Sequence, residues 1–247
     1  MRPGWHYIGE GQEAQVYRGK LREISGIGGV IEYKIPFDVA KRKDINNPIS
    51  EFDGHDLFCK HLVLSLLDKN FIKRGIYQHH HIPLPLGSFN GGYYYEFAEG
   101  IEGFPLEYID TENDYRITPV QISEWYKFYG LFDSVGFNVG ADITDPNDGR
   151  SGKNMVFLPW TINYETEGLH PFWKRIDVGS ASLPFNYEKF EKNIQELRPN
   201  LNEDFITINL AAKFYHLNGN INIQEQKELE KRVHEFRSDL TSTKIIQ

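Results

Sequence analysis

The sequence has little cysteine and no long apolar run. Cys59 is the only cysteine among the 247 residues, so no disulfide can form within the chain, and we expect a reducing compartment such as the cytoplasm. The segment Met1–Tyr7 lacks the apolar run of a signal peptide, and no stretch approaches the roughly 18 consecutive apolar residues of a membrane span. The composition therefore predicts a soluble protein without a membrane span.

An excess of positive charge is also missing. The chain has 27 Lys and Arg residues against 35 Asp and Glu residues, for a net charge of −8. This balance argues against a broad nucleic-acid or anionic-membrane surface, and we expect no nucleic-acid partner. The length suffices for one domain of two lobes or for two small domains.

The pattern of apolar residues and turn signals predicts an α+β protein. Strands are expected at Trp5–Ile8, Gln15–Leu21, Val30–Ile35, Ile82–Phe89, Tyr93–Phe97, Met155–Leu158 and Trp173–Ile176. Helices are expected at about residues 50–69, 118–135, 187–197, 203–217 and 223–240. The strands concentrate in the first part of the chain, which predicts a β-rich region at residues 1–99 and a largely helical region at 100–247.

A glycine-rich segment lies between the first two predicted strands. Gly9 and Gly11 let backbone amides approach a phosphate closely, where a side chain would collide. Val16, at the end of the same segment, is then placed to cover an adenine ring. The alternative interpretation is a tight hairpin turn without a ligand.

Lys34 lies within the apolar strand predicted at Val30–Ile35. Burying an unpaired ammonium is costly, so a phosphate pair and a carboxylate from the following helix are its expected partners. Glu51 is the first candidate for that carboxylate, with Asp53 and Asp56 as alternatives. The competing interpretation places Lys34 on an edge strand that faces water.

The strand at Tyr93–Phe97 ends in a short acidic segment that contains Gly100. Such a segment suits a hinge whose backbone groups, from Glu96 to Ala98, read the edge of an adenine. A plain strand end is the alternative.

Three oxygen-bearing side chains follow in order downstream. Asp142 lies in a polar loop, Asn154 begins a predicted strand, and Asp177 ends the next one. Oxygen ligands such as Asn154 and Asp177 suit a hard octahedral cation that also bridges phosphates. An aspartate that faces them, such as Asp142, would orient or deprotonate an attacking hydroxyl.

In their order and spacing, these motifs resemble the signature set of the protein-kinase-like superfamily over roughly residues 5–180. The resemblance implies a bilobal fold, with an antiparallel β-sheet N-lobe that carries one main helix and a reduced, mostly helical C-lobe. It also implies ATP and Mg²⁺ as cofactors, held between the lobes.

The resemblance assigns roles to particular residues. Gly9, Gly11 and Val16 match the phosphate loop, and Ala14 stands where a third glycine would be. Lys34 matches the phosphate-pairing lysine, and Tyr95 stands at the position that controls access behind the adenine. In the downstream motifs, Asp142 matches the catalytic aspartate, and Asn154 and Asp177 match the metal ligands.

The sequence also departs from that pattern. Gly140 and Ala141 replace the His and Arg that precede the catalytic aspartate, so we expect no activation-segment phosphoregulation of the usual type. The loop from Asp142 to Asn154 is longer than in the family motif. It contains Asp145 and Asp148, either of which is an alternative base or metal ligand, and a solvated acidic turn is the other interpretation.

The function expected from this sequence is transfer of the γ-phosphoryl group of ATP to a hydroxyl of a protein Ser or Thr or of a small molecule. The acceptor itself is not indicated. The alternatives are a pseudokinase, which binds nucleotide or a protein partner without turnover, and transfer of a nucleotidyl group.

Overall fold

The computed structural model describes residues 4–10, 14–21, 23–32, 38–44, 54–77, 80–97, 101–102, 119–138, 155–158, 172–175 and 183–241. Within these residues the chain forms ten strands and five helices, so it is an α+β protein. The strands are β1 (Trp5–Glu10), β2 (Ala14–Gly19), β3 (Glu23–Ile24), β4 (Ile31–Glu32), β5 (Val39–Asp44), β6 (Pro85–Phe89), β7 (Gly92–Glu96), β8 (Ile101–Glu102), β9 (Met155–Leu158) and β10 (Phe172–Arg175). The helices are α1 (Gly54–Lys73), α2 (Pro119–Ser134), α3 (Tyr187–Leu201), α4 (Asp204–His216) and α5 (Ile223–Thr241).

The chain divides into two compact units. The first, here called the sheet unit, contains Met1–Leu67, Leu84–Phe97 and Asn202–Gln247, and the second contains Asp68–Pro83 and Ala98–Leu201. This division differs from the boundary predicted at residue 99, because the last two helices group with the N-terminal strands. A single boundary along the sequence cannot describe a unit that contains both the N-terminal strands and the C-terminal helices.

The sheet unit is built on a five-stranded antiparallel sheet in the order β1-β2-β5-β7-β6. The first two strands form a hairpin, and α1 lies in the chain between β5 and β6. β6 and β7 form a second hairpin, and Gly91 in its turn has φ of +81°, a conformation that glycine adopts without strain. The hairpin predicted from Asn90-Gly91-Gly92 is confirmed.

Of the strand predicted at Val30–Ile35, the described residues contain β4 at Ile31–Glu32, and residues 33–35 lie outside the described ranges. This short strand pairs with β3 in a separate two-stranded sheet. In the main sheet, the strand that pairs with β2 after the first hairpin is β5. The sequence interpretation did not predict β5. The physical reason is that β5 contains Lys41, Arg42 and Lys43, and three consecutive cations resemble a solvated loop rather than a strand.

The helices and the other strands are confirmed, with boundaries that shift by a few residues. α1 begins at Gly54, four residues after the predicted start, and extends to Lys73. Added side-chain bulk at Gly54 would collide with β7, because a Cβ there would lie 1.9 Å from the carbonyl oxygen of Gly92. The start of α1 is thus fixed against the sheet by a glycine.

α1 is buried around nearly its whole circumference, which is unusual for a helix that contains charged residues. Its apolar side chains include the fully buried Phe58, Leu62 and Leu66. Its buried polar and charged side chains are Asp56, Lys60, His61, Ser65, Asp68 and Asn70. Because buried charges require partners, these residues mark α1 as the element whose surroundings are most specifically arranged.

The C-terminal helices α4 and α5 form a hairpin within the sheet unit. Asn222 and Glu225 cap α5 reciprocally: the N–H of Glu225 donates to Asn222 Oδ1 at 2.9 Å, and the N–H of Asn222 donates to Glu225 Oε2 at 3.4 Å. Lys213 of α4 also donates to Glu225 Oε1 at 2.8 Å, and this hydrogen bond lowers the pKa of Glu225. Tyr215 of α4 contacts Lys60 of α1, whose Nζ lies 5.2 Å from the ring centroid. The hairpin is therefore joined both internally and to α1.

The second unit has an aromatic core. Phe132 of α2 contacts Phe128 at a ring-centroid distance of 4.5 Å and Phe71 at 5.5 Å. After α2, Phe137 forms an isolated antiparallel bridge with Phe185, and the two rings stack with a centroid distance of 4.4 Å. A three-stranded sheet in the order β10-β9-β8 belongs to the same unit, and β8 was not predicted. Within the described ranges, no helix has both the length and the apolar content needed to cross a bilayer.

Asp38, which precedes β5, makes contacts that link the ends of β2, β5 and β7 in the main sheet. Its carboxylate accepts hydrogen bonds from Arg18 Nε at 2.6 Å and pairs with Lys20 Nζ at 2.5 Å. Its carbonyl oxygen accepts the N–H of Phe97 at 3.0 Å, and the Arg18 guanidinium lies 4.6 Å from the centre of the Phe97 ring. The hydrogen bond from Lys20 and then that from Arg18 lower the pKa of Asp38 below its usual value.

We expect Asp38→Asn to destabilise the protein at neutral pH but not at strongly acidic pH. A carboxyl group whose pKa is lower in the folded state stabilises the fold above its unfolded pKa, about 3.9, and loses that effect as the pH falls through the folded value. For a partly exposed ion pair the loss at pH 7 should be about 1 kcal/mol. Urea unfolding of both proteins at pH 7 and near pH 2.5 measures this, and an equal difference at both pH values would contradict the assignment.

Candidate functional site

One face of the five-stranded sheet carries Val16 and Tyr95, two of the residues predicted to line a nucleotide site. Residues paired directly across an antiparallel sheet share a face, and so do residues two apart along one strand. The strand register places two neighbouring rows of side chains on one face in this way. This face, here called the inner face, consists of Val16, Arg18, Ala40, Arg42, Tyr93 and Tyr95.

α1 packs on the inner face. The ring of His61 contacts those of Tyr93 and Tyr95, with a centroid distance of 5.6 Å in each case. Both tyrosines are buried, as is His61 itself. The part of the inner face nearest α1 is therefore filled by aromatic side chains.

Arg42 is one of the two cations of the inner face, the other being Arg18. Arg42 pairs with Val16 on one side and with Tyr93 on the other, and only 6% of its surface is exposed. Its neighbour Lys41 faces the opposite side, where Nζ lies 4.9 Å from the centre of the Phe89 ring. Arg42 is therefore a buried guanidinium on the face that carries Val16.

The hairpin of β1 and β2 presents the glycine-rich segment at the edge of this face. Gly9 lies in β1 next to a register shift, and a Cβ added there would meet no atom within 4 Å. The backbone at Gly9 is thus open to a ligand. Ala14 begins β2 and is buried. Gly11 lies outside the described residues.

The side chain of Glu10 is held on the opposite, outer face. Its Oε2 accepts a hydrogen bond from Gln15 Nε2 at 3.0 Å, and Gln15 Oε1 accepts one from the hydroxyl of Tyr17 at 2.9 Å. The pKa of Tyr7 is raised by partial burial and by the nearby Glu10 carboxylate. This arrangement keeps a negative charge away from the face on which Val16 lies.

The segment after Tyr95 uses part of its backbone within the protein. The N–H of Glu96 donates to the carbonyl oxygen of Leu84 at 2.9 Å, and the N–H of Phe97 donates to that of Asp38 at 3.0 Å. The Glu96 carboxylate accepts the N–H of Leu84 at 3.2 Å. The predicted hinge therefore cannot use these two N–H groups for an adenine, and that role would fall to Ala98, which lies outside the described residues.

Several predicted site residues cannot be located, because they fall outside the described residues. These are Lys34, Glu51, Ala98, Asp142, Asn154 and Asp177, together with the alternatives Asp53, Asp145 and Asp148. Asp56, the remaining alternative to Glu51, is described: it lies in the first turn of α1 and is 4% exposed. In the part of the chain that the structure describes, no three His, Cys, Asp or Glu side chains are grouped to hold a metal ion.

Arg42 was missed by the sequence interpretation. The signal was present in Val39-Ala40-Lys41-Arg42, where two apolar residues begin a strand immediately before the segment that leads to α1. The two lysines that flank Arg42 hid the alternation, since all three side chains look equally hydrophilic. Only the register shows that the middle one faces inward.

The described residues thus define an α+β protein whose antiparallel sheet presents a glycine hairpin and a buried cation. No protein-family model matches the chain, and no curated protein matches it. Among solved structures, it is similar to the crystal structure of the Rio2 kinase-ADP/Mg²⁺-phosphoaspartate complex from Chaetomium thermophilum. The two are 8% identical, the alignment covers 96% of this chain and 72% of that chain, and the TM-score is 0.34. A TM-score of this size does not support an argument about shared fold or function.

Proposed function

We propose that the protein is a protein-kinase-like phosphotransferase that uses ATP and Mg²⁺. The observation that carries the proposal is the inner face, where Val16 and the buried Arg42 lie in one row next to the glycine hairpin. A flat apolar side chain, a cation and an open glycine backbone are the groups that bind an adenine and its phosphates. The downstream aspartates and asparagine of the sequence pattern complete the proposal.

In this proposal the nucleotide lies along the inner face. Val16 contacts the adenine, Tyr95 limits the space behind it, and the backbone around Gly9 and Gly11 binds phosphate. Such a site would act by positioning the phosphates and neutralising their charge. Magnesium would supply further charge neutralisation on the phosphate oxygens.

Three acidic or amide side chains have proposed roles. Asp142 orients the acceptor hydroxyl, with Asp145 and Asp148 as alternatives, and Asn154 and Asp177 hold the metal ion. A bilobal arrangement with these residues on the second lobe remains part of the proposal. The acceptor is a hydroxyl of a protein or of a small molecule.

The cation that contacts the phosphates is either Lys34 or Arg42. Lys34 is supported by its place in the sequence pattern. Arg42 is supported by its burial on the inner face and by the register that places it beside Val16. Glu51 and Asp53 are the candidates to orient this cation, since Asp56 lies two positions after Gly54, on the side of α1 away from the sheet, and its Oδ1 is near Gly219.

Substitution of the phosphate-binding cation should weaken ATP binding at least tenfold. One charge-assisted hydrogen-bonding group contributes about 1.5–3 kcal/mol, which corresponds to roughly 10- to 100-fold in affinity. Calorimetric titration of ATP with Mg²⁺ into Lys34→Met and Arg42→Met identifies which residue it is. Lys43→Met is the matched control, because Lys43 is exposed on the same strand and faces the other side.

Because Arg42 is buried, Arg42→Lys serves as a second variant that keeps the charge. If Arg42 binds phosphate, Arg42→Lys should recover part of the affinity lost in Arg42→Met. Unchanged affinity in Lys34→Met and Arg42→Met alike would count against the proposed site.

A pseudokinase is the second candidate function, and Gly140-Ala141 before Asp142 is the observation that favours it. The two candidates agree on nucleotide binding and differ in turnover. Incubation with ATP labelled in the γ-phosphate separates them: a kinase releases or transfers label, whereas a pseudokinase binds ATP and leaves it intact.

A further inference from the structure

The turn that joins β3 to β4 packs closely against α5. A Cβ added at Gly28 would lie 3.0 Å from the carbonyl oxygen of Glu230 and from the backbone nitrogen of His234. The ring of His234 places Nδ1 3.2 Å from the carbonyl oxygen of Gly28. Arg237 donates from Nη1 to the carbonyl oxygen of Gly29 at 3.1 Å. The turn and the C-terminal helix therefore meet backbone to backbone, with no room for a side chain.

The same turn is fixed on its other side to Ser88 of β6. The N–H of Ser88 donates to the carbonyl oxygen of Ser25 at 3.2 Å, and the N–H of Ile27 donates to Ser88 Oγ at 3.3 Å. A Cβ added at Gly26 would lie 2.3 Å from both the carbonyl oxygen and Oγ of Ser88. Ser88 is fully buried, so these contacts are shielded from water.

Ser88 in turn contacts the beginning of α1. Its Oγ lies 2.8 Å from His55 Nδ1, a hydrogen-bond distance. His55 is the second residue of α1 and precedes the buried Asp56. A continuous set of contacts thus leads from α5 through the turn and Ser88 to the first turn of α1.

A second contact between the C-terminal hairpin and α1 runs in parallel. The guanidinium carbon of Arg237 lies 5.4 Å from the centre of the Phe58 ring, and Arg237 is completely buried. Arg237 therefore touches the turn through Gly29 and α1 through Phe58 at the same time. Close-packed groups of this kind transmit a displacement instead of absorbing it.

We propose that these contacts form a latch through which the C-terminal helix positions the first turn of α1, and with it the nucleotide site of the inner face. The latch consists of Gly26, Gly28, Ser88, His55 and Arg237. These are positioning residues, because they act through α1. Ser88 pairs with Tyr93 in the sheet and therefore lies on the same side as the inner face. The consequence for ATP rests on the proposed function, whereas the mechanical link between α5 and α1 does not.

Two neighbouring glycines provide a matched test. Gly28 and Gly29 have φ of +87° and +86°, so alanine is strained to the same degree at both positions. Only Gly28 faces α5, since a Cβ at Gly29 would meet no atom within 4 Å. The difference between Gly28→Ala and Gly29→Ala in the full-length protein therefore isolates the contact with α5.

The readout is amide hydrogen exchange at residues 58–61, whose N–H groups close the first turn of α1, compared with exchange in β5 and β7 of the same sample. Gly28→Ala should accelerate exchange in that turn at least tenfold relative to Gly29→Ala, with strand exchange unchanged between the two. It should also weaken ATP binding at least threefold relative to Gly29→Ala. Equal exchange in the two variants would overturn the latch.

Ser88→Ala keeps the test decisive should Gly28→Ala fail to fold. It removes the hydroxyl that joins Ile27 to His55 and adds no bulk, and it should accelerate exchange in the same turn of α1. Unchanged exchange there would overturn the latch. If the wild-type protein binds no ATP while the exchange results are as expected, the latch stands and the proposed function fails.

Discussion

Asp177→Asn is expected to lower the rate of phosphoryl transfer from ATP by at least about 10²–10³-fold. The proposal makes Asp177 a metal ligand, and loss of one group that neutralises developing charge at a phosphoryl centre typically has an effect of this size. An amide keeps the shape of the carboxylate but supplies no negative charge to the metal ion. The measurement is transfer of labelled γ-phosphate under single-turnover conditions, with thermal unfolding recorded in parallel.

Asp133→Asn is the matched control for this substitution. Asp133 is exposed on α2 and pairs with Lys189 at 3.1 Å, so its replacement should leave transfer unchanged. The assignment of Asp177 is contradicted if its variant transfers phosphate at the wild-type rate. A loss of transfer accompanied by unfolding would instead indicate a structural role for Asp177.

Asp68→Ala is expected to destabilise the fold by about 3–5 kcal/mol. The carboxylate of Asp68 is completely buried and lies near the C-terminal end of α1. It accepts the hydroxyl of Tyr77 at 2.6 Å and the backbone N–H groups of His81 at 2.9 Å and Ile82 at 3.2 Å. Alanine would leave three donors buried without this acceptor, and each has a substantial desolvation cost.

Urea unfolding of Asp68→Ala and Asp133→Ala compares a buried and an exposed aspartate. The second variant should change the free energy of unfolding by no more than about 0.5 kcal/mol, because its side chain is 62% exposed and its ion pair with Lys189 is in water. Tyr77→Phe, which removes one of the three donors to Asp68, should cost about 1–2 kcal/mol. An Asp68→Ala protein as stable as Asp133→Ala would show that the carboxylate does not stabilise the segment that contains Tyr77, His81 and Ile82.

Local signals predicted most of the elements correctly. The Asn90-Gly91-Gly92 turn specifies a hairpin because Gly91 must adopt a positive φ. The spacing of Phe58, Leu62 and Leu66 specifies a helix, and all three residues are buried. These features depend on neighbours within a few residues, so the sequence alone contains them.

The third strand of the main sheet was not predictable in the same way. Lys41 is acceptable in a strand because its ammonium lies over the rings of Phe89, Trp5 and Tyr94, which come from other strands. Arg42 is acceptable because it lies on the inner face under α1. Since these partners are distant along the chain, local hydrophobicity indicated a different segment.

The unit to which the C-terminal helices belong was likewise not predictable from local sequence signals. α4 and α5 were predicted as helices, and both are present. Their placement in the sheet unit depends on Gly28 and Gly29, about 200 residues away along the chain. The carbonyl oxygens of these glycines lie within hydrogen-bond distance of His234 and Arg237. A glycine in a turn signals an unusual backbone conformation, but it does not indicate which helix will pack against it.

The candidate site is divided between described and undescribed residues. Val16 and Tyr95 lie on one face of the sheet, and Asp56 is buried in the first turn of α1. Their roles at a nucleotide stay predictions. The assignments of Lys34, Asp142, Asn154 and Asp177 stay predictions. Their order along the chain supports these assignments, and measurements of ATP binding and phosphoryl transfer test them.

Magnesium-dependent ATP binding tests the central claim most directly. Calorimetric titration of the wild-type protein with ATP should give one site whose affinity rises on addition of Mg²⁺, and Asp177→Asn should lose that dependence on Mg²⁺. Absence of ATP binding to the wild-type protein at millimolar concentrations, with or without Mg²⁺, would contradict the account.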